Sequence, residues 1–278
     1  MLVIGTNMAA IRAANAAAAA QRQVAISMER LSTGKRINRA SDDPAGFAIA
    51  DRMGAQIRGM SQAVRNAQDG LSLLQTAEST LGETVNIMQR IRELAVQSAS
   101  GTYSDDDRAN LQAEADELAE QISQSLTNAK FNGRSMFALG GNPAVDREIQ
   151  VGAYSGETQT ISGGALDLGG VTGAGAQPSI SIASADAARD AIATMDDAIK
   201  AVNSRRATIG AKSSRLESVI NTLTNGIVNL SEARSRIEDV DYGAETMALA
   251  KAQILAQASM AMLAQANQSQ QLILQLLR

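Results

Sequence analysis

Cysteine, histidine and tryptophan are absent from this chain of 278 residues, and aromatic residues make up only 2% of it. The missing cysteines and histidines exclude disulfides, thiolate catalysis, zinc sites built from these residues, and proton transfer by histidine. Aromatic side chains normally give a compact core its bulk, so their scarcity favours long helices packed through small side chains. Much of the 45% hydrophobic content is alanine, which agrees with that view.

An excess of basic residues is also missing. The net charge is −4, which argues against a nucleic-acid partner because phosphates need basic residues to neutralise them. No run of about 20 apolar residues occurs, so we expect no transmembrane helix and no membrane partner. The first residues carry no basic region and Arg12 interrupts their apolar part, which argues against a cleavable signal peptide.

Proline occurs only three times, at Pro44, Pro143 and Pro178. Because proline is costly inside helices, the tracts between these positions are candidates for long helices. Asp42 or Asp43 followed by Pro44 predicts a helix start, and the apolar pattern then continues to about Ser98. A further helix is predicted from a Ser104 cap to about Asn128.

Two segments carry apolar residues at alternating spacings of three and four, the seam of a coiled coil. The first segment follows Pro44, and the second follows Ser184. We predict that these seams pack against each other within the chain through Leu71, Leu74, Leu81, Val85, Met88, Leu216, Ile220, Leu223, Ile227 and Leu230. A second stripe, Ile87, Ile91 and Leu94, is predicted to pack under the helix from Ser104.

Both ends of the chain are alanine-rich helices with thin apolar faces, the first ending near Gly34. The segments "REIQVGA" and "ETQTIS" predict a β-hairpin, and "SISIAS" predicts a short strand. The simplest arrangement pairs the two seam helices with each other and the two alanine-rich terminal helices with each other. The expected fold class is therefore mainly α: a long antiparallel helical rod or coiled coil from both termini, with a small β-hairpin region in the middle.

Five ordered motifs resemble those of bacterial flagellin. They are "ERLSTGKRINRASDDPAGFAIADRM" (29–53), "QRIRELAVQSASGTYSDDDRANLQAE" (89–114), "KFNGRSMF" (130–137), "SRIEDVDYGAE" (235–245) and "QANQSQQLILQLLR" (265–278). The resemblance covers roughly residues 1–140 and 185–278. It implies a subunit that self-assembles into the flagellar filament for swimming motility, in a short form without a separate outer domain.

The resemblance also implies a division into layers. Residues 1–40 and 245–278 form the inner coiled-coil domain, residues 41–140 and 184–244 form the helical rod domain with its linkers, and residues 141–183 form a β-hairpin and glycine-rich insert. Contacts between subunits are then expected from the apolar residues of the terminal segments, namely Ile4, Met8, Ile11, Val24, Leu31, Met247, Ile254, Leu263, Leu272 and Leu276.

Thin apolar faces bury too little area to offset the entropy of ordering, so residues 1–40 and 245–278 are expected to fold only on assembly. The resemblance further implies export without a cleaved signal peptide to an extracellular filament. It implies contact with flagellar cap and junction proteins and with an export chaperone at the C-terminal region. It also implies recognition by a vertebrate toll-like receptor through Arg90, Leu94 and Glu114.

Three other classes are weighed against a filament subunit. A hook–filament junction protein of the same superfamily shares related termini, and a cytoplasmic signalling coiled coil is more remote. An enzyme is disfavoured because no HExxH site, phosphate loop or nucleophile elbow occurs, and no cofactor is expected. No metal site is expected at the acidic groups Asp42–Asp43, Ser104–Asp107 and Glu238–Asp241: the first two stand at helix starts, where carboxylates cap amides, and none has the ligand spacing and glycine of an EF-hand loop.

Overall fold

The computed structural model describes residues 6–137, 146–162, 168, 171 and 180–276, with side chains up to Ser269 and without the side chain of Ser162. The predicted positions Ile4, Pro143 and Pro178, and most of the glycine-rich stretch, lie outside these residues. Leu272 and Leu276 lie in a described helix, but their side chains are outside the described set.

Five helices account for most of the described chain, and the mainly α fold class is confirmed. They are α1 (Met8–Thr33), α2 (Pro44–Ser98), α3 (Asp105–Asn128), α4 (Ala185–Glu238) and α5 (Tyr242–Leu276). Strands β1 (Lys130–Phe131) and β2 (Arg134–Ser135) form one antiparallel pair, and β3 (Asp146–Gln150) and β4 (Thr158–Ser162) form another.

The helix ends follow from local sequence. Asp43 accepts a hydrogen bond from the Gly46 amide and places Pro44 at the first helical position, as predicted. Gly34 ends α1 with φ of 72°, a left-handed conformation that suits glycine. Asp241, in the third acidic group, likewise accepts hydrogen bonds from the Gly243 and Ala244 amides at the start of α5.

Ser104 and Asp107 form a reciprocal capping box at the start of α3. The Ser104 hydroxyl and amide both donate to the Asp107 carboxylate and lower its pKa below the ordinary value of 3.8. A lowered folded-state pKa means that the ionised carboxylate stabilises the fold above 3.8, and that this contribution is lost as the pH falls through the folded-state value.

Replacing Asp107 by alanine should therefore lower the free energy of unfolding at neutral pH, and the loss should be smaller in acid. Urea unfolding of the parent and the variant, followed by far-UV circular dichroism at pH 7, 5 and 3, would check this. We expect an equal difference at pH 7 and 5 and a smaller one at pH 3. A difference of the same size at pH 3 would contradict the assignment of the carboxylate to the cap.

The chain packs into two compact units. The terminal unit comprises Met1–Gln56 and Val228–Arg278, and the central unit comprises Ile57–Ile227. Packing thus divides the molecule inside α2 and α4, whereas the predicted domains divide at the turns near residues 40 and 245. The predicted layers stay a prediction.

The central unit has a core formed by α2, α3 and α4 together with the β3–β4 hairpin. Predicted seam residues Leu74, Leu81, Val85, Met88 and Leu216 are all buried in it, and Ile220 packs partly buried against it. Leu71, Leu223, Ile227 and Leu230 are half-buried. The second stripe, Ile87, Ile91 and Leu94, is buried in the same core as Ile122 and Leu126 of α3.

Charged seam residues join α2 to α4 through ion pairs. Arg206 reaches Glu78 at 2.8 Å, and Arg92 reaches Asp196 at 2.6 Å. The bond to Asp196 raises the pKa of Arg92 above its ordinary value. Polar interruptions of an apolar seam thus find partners across it, which fixes how the two helices align.

The predicted strand in "SISIAS" is wrong for its described residues, Ile180 to Ser184, which form no strand. The Gln112 side chain takes the place of a neighbouring strand: its amide group donates to the Ile180 carbonyl at 2.9 Å and its oxygen accepts from the Ile182 amide. The buried Ser98 hydroxyl donates to the Ile182 carbonyl. The backbone is therefore satisfied by side chains, while Ile180 and Ile182 fill the core.

Candidate assembly surface

Helices α1 and α5 pair along a seam of small side chains. The buried positions of this seam are Ala17, Ala20, Ser27, Ala252 and Ala256. Small side chains let two helix backbones approach closely, and α1 and α5 repeatedly bring their Cα atoms within 8 Å. Such a seam removes little apolar area from water, so its contribution to stability is modest.

Large apolar side chains lie on the outside of this pair instead. On α5, Met247 is 70% exposed and Ile254 is 67% exposed. The other strongly exposed members on the two helices are Met8, Ile11, Ile26, Met28, Leu255, Met260 and Met262. Exposed large apolar residues in such number on one helix pair indicate an interaction surface. We call these nine residues the outer apolar face.

Of the residues predicted to make subunit contacts, Met8, Ile11, Met247 and Ile254 belong to the outer apolar face. Val24, Leu31 and Leu263 are half-buried. The other five members of the outer apolar face were not predicted to make subunit contacts; they are Ile26, Met28, Leu255, Met260 and Met262. The alternation of these large residues with alanine along each helix is the signal that could have identified them.

Helix α5 also differs from the expectation of no transmembrane helix. Over Tyr242–Ser269 it is long and apolar enough to cross a membrane by length and composition: an 18-residue window within it has a mean hydropathy of 1.2, and 11% of that window is buried. Alanine and methionine raise the mean hydropathy here without any long run of large apolar residues. An alanine seam with an outer apolar face needs the same alanine and methionine content, so this content also fits a helix that packs against other protein chains.

Short backbone contacts close the base of the α1–α5 pair. The Val240 amide donates to the Gly34 carbonyl at 3.0 Å, and the Arg36 amide donates to the Glu238 carbonyl at 2.6 Å. The Lys35 ammonium also reaches the Glu238 carboxylate at 2.5 Å. The segment after α1 is therefore tied directly to the turn between α4 and α5.

A second surface involves the residues assigned by resemblance to receptor recognition. Arg90 of α2 donates to the Glu114 carboxylate of α3 at 2.8 and 3.1 Å, and both side chains are about half exposed. Bonds to Glu114 and Glu93 raise the pKa of Arg90 above its ordinary value. Leu94 is only 1% exposed in the core, so its burial does not support a direct surface role.

Comparison with known proteins identifies relatives of both halves of the chain. The family described as "Bacterial flagellin N-terminal helical region" matches residues 4–140, and "Bacterial flagellin C-terminal helical region" matches residues 192–277. Flagellin of Halalkalibacterium halodurans is 47% identical over 253 residues, covering 90% of each chain.

Two further relatives cover much of the chain. The flagellar filament 33 kDa core protein of Treponema phagedenis is 41% identical over 296 residues and covers 100% of both chains. The crystal structure of Bacillus cereus flagellin is 31% identical and covers 61% of this chain and 94% of that chain, with a TM-score of 0.49.

Proposed function

This chain belongs to the bacterial flagellin family, in a short form, and we propose that its outer apolar face builds the flagellar filament by packing against neighbouring copies. It is a structural subunit of the filament, as its curated relatives are. The observation that supports the proposed contact surface is the exposure of Met247 and Ile254 on a helix pair whose own seam is alanine.

We propose that the terminal helices become ordered as the subunit joins the filament. Ordering a residue costs roughly 1–2 kcal/mol of backbone entropy, while apolar burial returns about 25 cal/mol per Å². The α1–α5 seam buries mainly alanine, so the missing stabilisation has to come from neighbouring subunits covering the outer apolar face. Free subunits then stay soluble because assembly and folding occur together.

The contact between copies is proposed to be heterologous, with one patch of a subunit packing on a different patch of the next. A heterologous contact that does not close on itself generates a helical polymer rather than a ring. Flagellar cap and junction proteins would meet the same face at the ends of the polymer. We also propose that the subunit is exported without a cleaved signal peptide. An export chaperone would cover the apolar surface of α5 before export.

Electron microscopy of the concentrated protein tests this function, beside a chain truncated after Gly243. The full chain should form long filaments, and the truncated chain should form none because α5 supplies half of the helix pair. The central unit of the truncated chain should keep its thermal transition. Filaments from the truncated chain would contradict the proposed role of α5, and a full chain that only joins the tips of other flagellin filaments would favour a junction protein.

Recognition by a vertebrate toll-like receptor is proposed to use Arg90 and Glu114. Their exposed ion pair presents a charged patch on the α2–α3 surface of the monomer. Replacing Arg90 by alanine should raise the monomer concentration needed in a reporter-cell assay by about tenfold or more, the usual cost of losing an interface hot spot. Arg189→Ala, which removes another exposed ion pair, is the matched control. A silent reporter at high parent concentration would refute the proposal.

A further inference from the structure

The alanine seam of α1 and α5 carries little information about how the two helices align. Its buried small residues, Ala17, Ala20, Ser27, Ala252 and Ala256, are nearly identical in size, so a shift by one or two turns would still place alanine against alanine. Most large apolar side chains of the pair are exposed instead, and Val24, Leu31 and Leu263 are only half-buried, so shape alone fixes the alignment weakly. The alignment of α1 with α5 therefore needs another determinant.

A buried polar group lies in the same seam. Arg30 of α1 pairs with Glu245 of α5, which is 9% exposed, and Ser27 is fully buried one turn before Arg30 on α1. The Arg30 Nη1 and Glu245 Oε2 atoms are 3.6 Å apart, the one ion pair between α1 and α5 among the residues that the structure describes. Within that part of the chain, Ser27 Oγ, Arg30 Nε and Glu245 Oε1 are buried without hydrogen-bond partners.

Partly satisfied buried charges are a poor source of stability, because their desolvation offsets their attraction. Their best-attested use is to select one alignment of packed helices over others. Any shifted alignment here would leave Arg30 and Glu245 in the alanine seam without each other. The charge of Arg30 also reaches Asp42, but that carboxylate is already held by the Asn38 and Arg39 amides.

A second polar contact at the opposite end of the pair agrees with this alignment. The Asn7 side-chain amide donates to the Ala266 carbonyl at 3.0 Å. At a rise of about 1.5 Å per residue, the two contacts are separated by about 35 Å along α1 and about 32 Å along α5. Both contacts are therefore met by a single antiparallel alignment.

We propose that the Arg30–Glu245 pair fixes the alignment of α1 with α5 in the assembled subunit. The inference rests on the proposed function, because only a fixed alignment presents the outer apolar face in one arrangement to the next copy. A subunit with shifted helices would displace Met247 and Ile254 relative to Met8 and Ile11. Such a subunit would not extend the filament.

Charge exchange tests the pair directly. Arg30→Glu and Glu245→Arg alone should each raise the critical concentration for assembly by at least about tenfold, since each buries two like charges. The double variant carrying both changes should return to within about threefold of the parent. The same exchange at the exposed pair Glu29–Arg39 is the control and should have little effect. A double variant as defective as the single variants would overturn the inference.

A second variant separates alignment from stability. Arg30→Met with Glu245→Met keeps the volume and removes the charges, and filaments from it should show mixed or shifted α1–α5 alignments by cryo-electron microscopy. A single parental alignment in those filaments would overturn the inference. Failure of the apolar variant to assemble, together with rescue by charge exchange, would also support the pair. A parent chain that forms no filaments would overturn the proposed function itself, and this inference with it.

Discussion

Replacing Ile254 by glutamate should stop filament growth at concentrations where the parent chain polymerises. Ile254 is 67% exposed on α5, so the variant loses little burial within the single chain. In the filament, burial of an isoleucine contributes about 1.5–3 kcal/mol, and an unpaired carboxylate in its place adds a desolvation cost. The two effects together should raise the critical concentration by about 100-fold or more.

Sedimentation of the polymer across a range of protein concentrations measures this effect. Ile254→Leu, which keeps an apolar side chain of equal size, should assemble with a critical concentration close to that of the parent. Gln253→Glu adds the same charge at a neighbouring exposed position and should change assembly far less. Unchanged assembly of the glutamate variant would show that this part of α5 does not face another subunit.

Replacing Arg108 by alanine should lower the free energy of unfolding of the central unit by about 3 kcal/mol. Arg108 is only 6% exposed, and its guanidinium holds the turn between α2 and α3 together. It donates to the Ser98 carbonyl, to the Ser100 carbonyl at 3.0 Å and to the Tyr103 carbonyl at 3.3 Å. Its loss leaves the buried Ser98 carbonyl and two part-buried carbonyls without this donor, and an unpaired buried polar group costs about 1–3 kcal/mol.

Urea unfolding followed by far-UV circular dichroism measures this loss. Arg108→Lys keeps the charge but presents one compact ammonium instead of a planar fork, so it should recover only part of the stability. Arg189→Ala removes an exposed arginine of α4 and should leave the unfolding midpoint unchanged. A loss below about 1 kcal/mol for the alanine variant would mean that water replaces the guanidinium at these carbonyls.

The helical part of the fold could be predicted because its signals are local. Pro44 and Ser98 bound α2 as the proline and the apolar repeat indicate, and the glycine at residue 34 ends α1. The hairpin of β3 and β4 follows from its turn and alternating residues. These features depend on residues close in sequence, which is why a single sequence suffices for them.

Other features of the fold were not predicted from the sequence. The β1–β2 hairpin has its own signal, Asn132 and Gly133 with φ of 49° and 74°, the turn residues that a tight hairpin requires. By contrast, nothing local reveals that the Gln112 side chain would replace a strand partner of Ile182. Nor does the sequence show that Arg108 would be buried.

The assembly surface was only partly predictable for a related reason. Helical spacing identifies the apolar residues of α1 and α5 but not which of them face the partner helix. Alanine faces inward here and the large residues face outward, the reverse of an ordinary amphipathic helix. Leu94 shows a limit of the resemblance: the resemblance implies a role in receptor recognition, but the side chain is buried in the core.

Hydrogen exchange on the monomer and on the assembled protein tests the central claim most directly. We expect amides of α1 and α5 to exchange rapidly in the monomer and to become strongly protected in the filament. Amides of α2 and α3 in the central unit should be protected in both states. Strong protection of α1 and α5 in the monomer would contradict the coupling of folding to assembly.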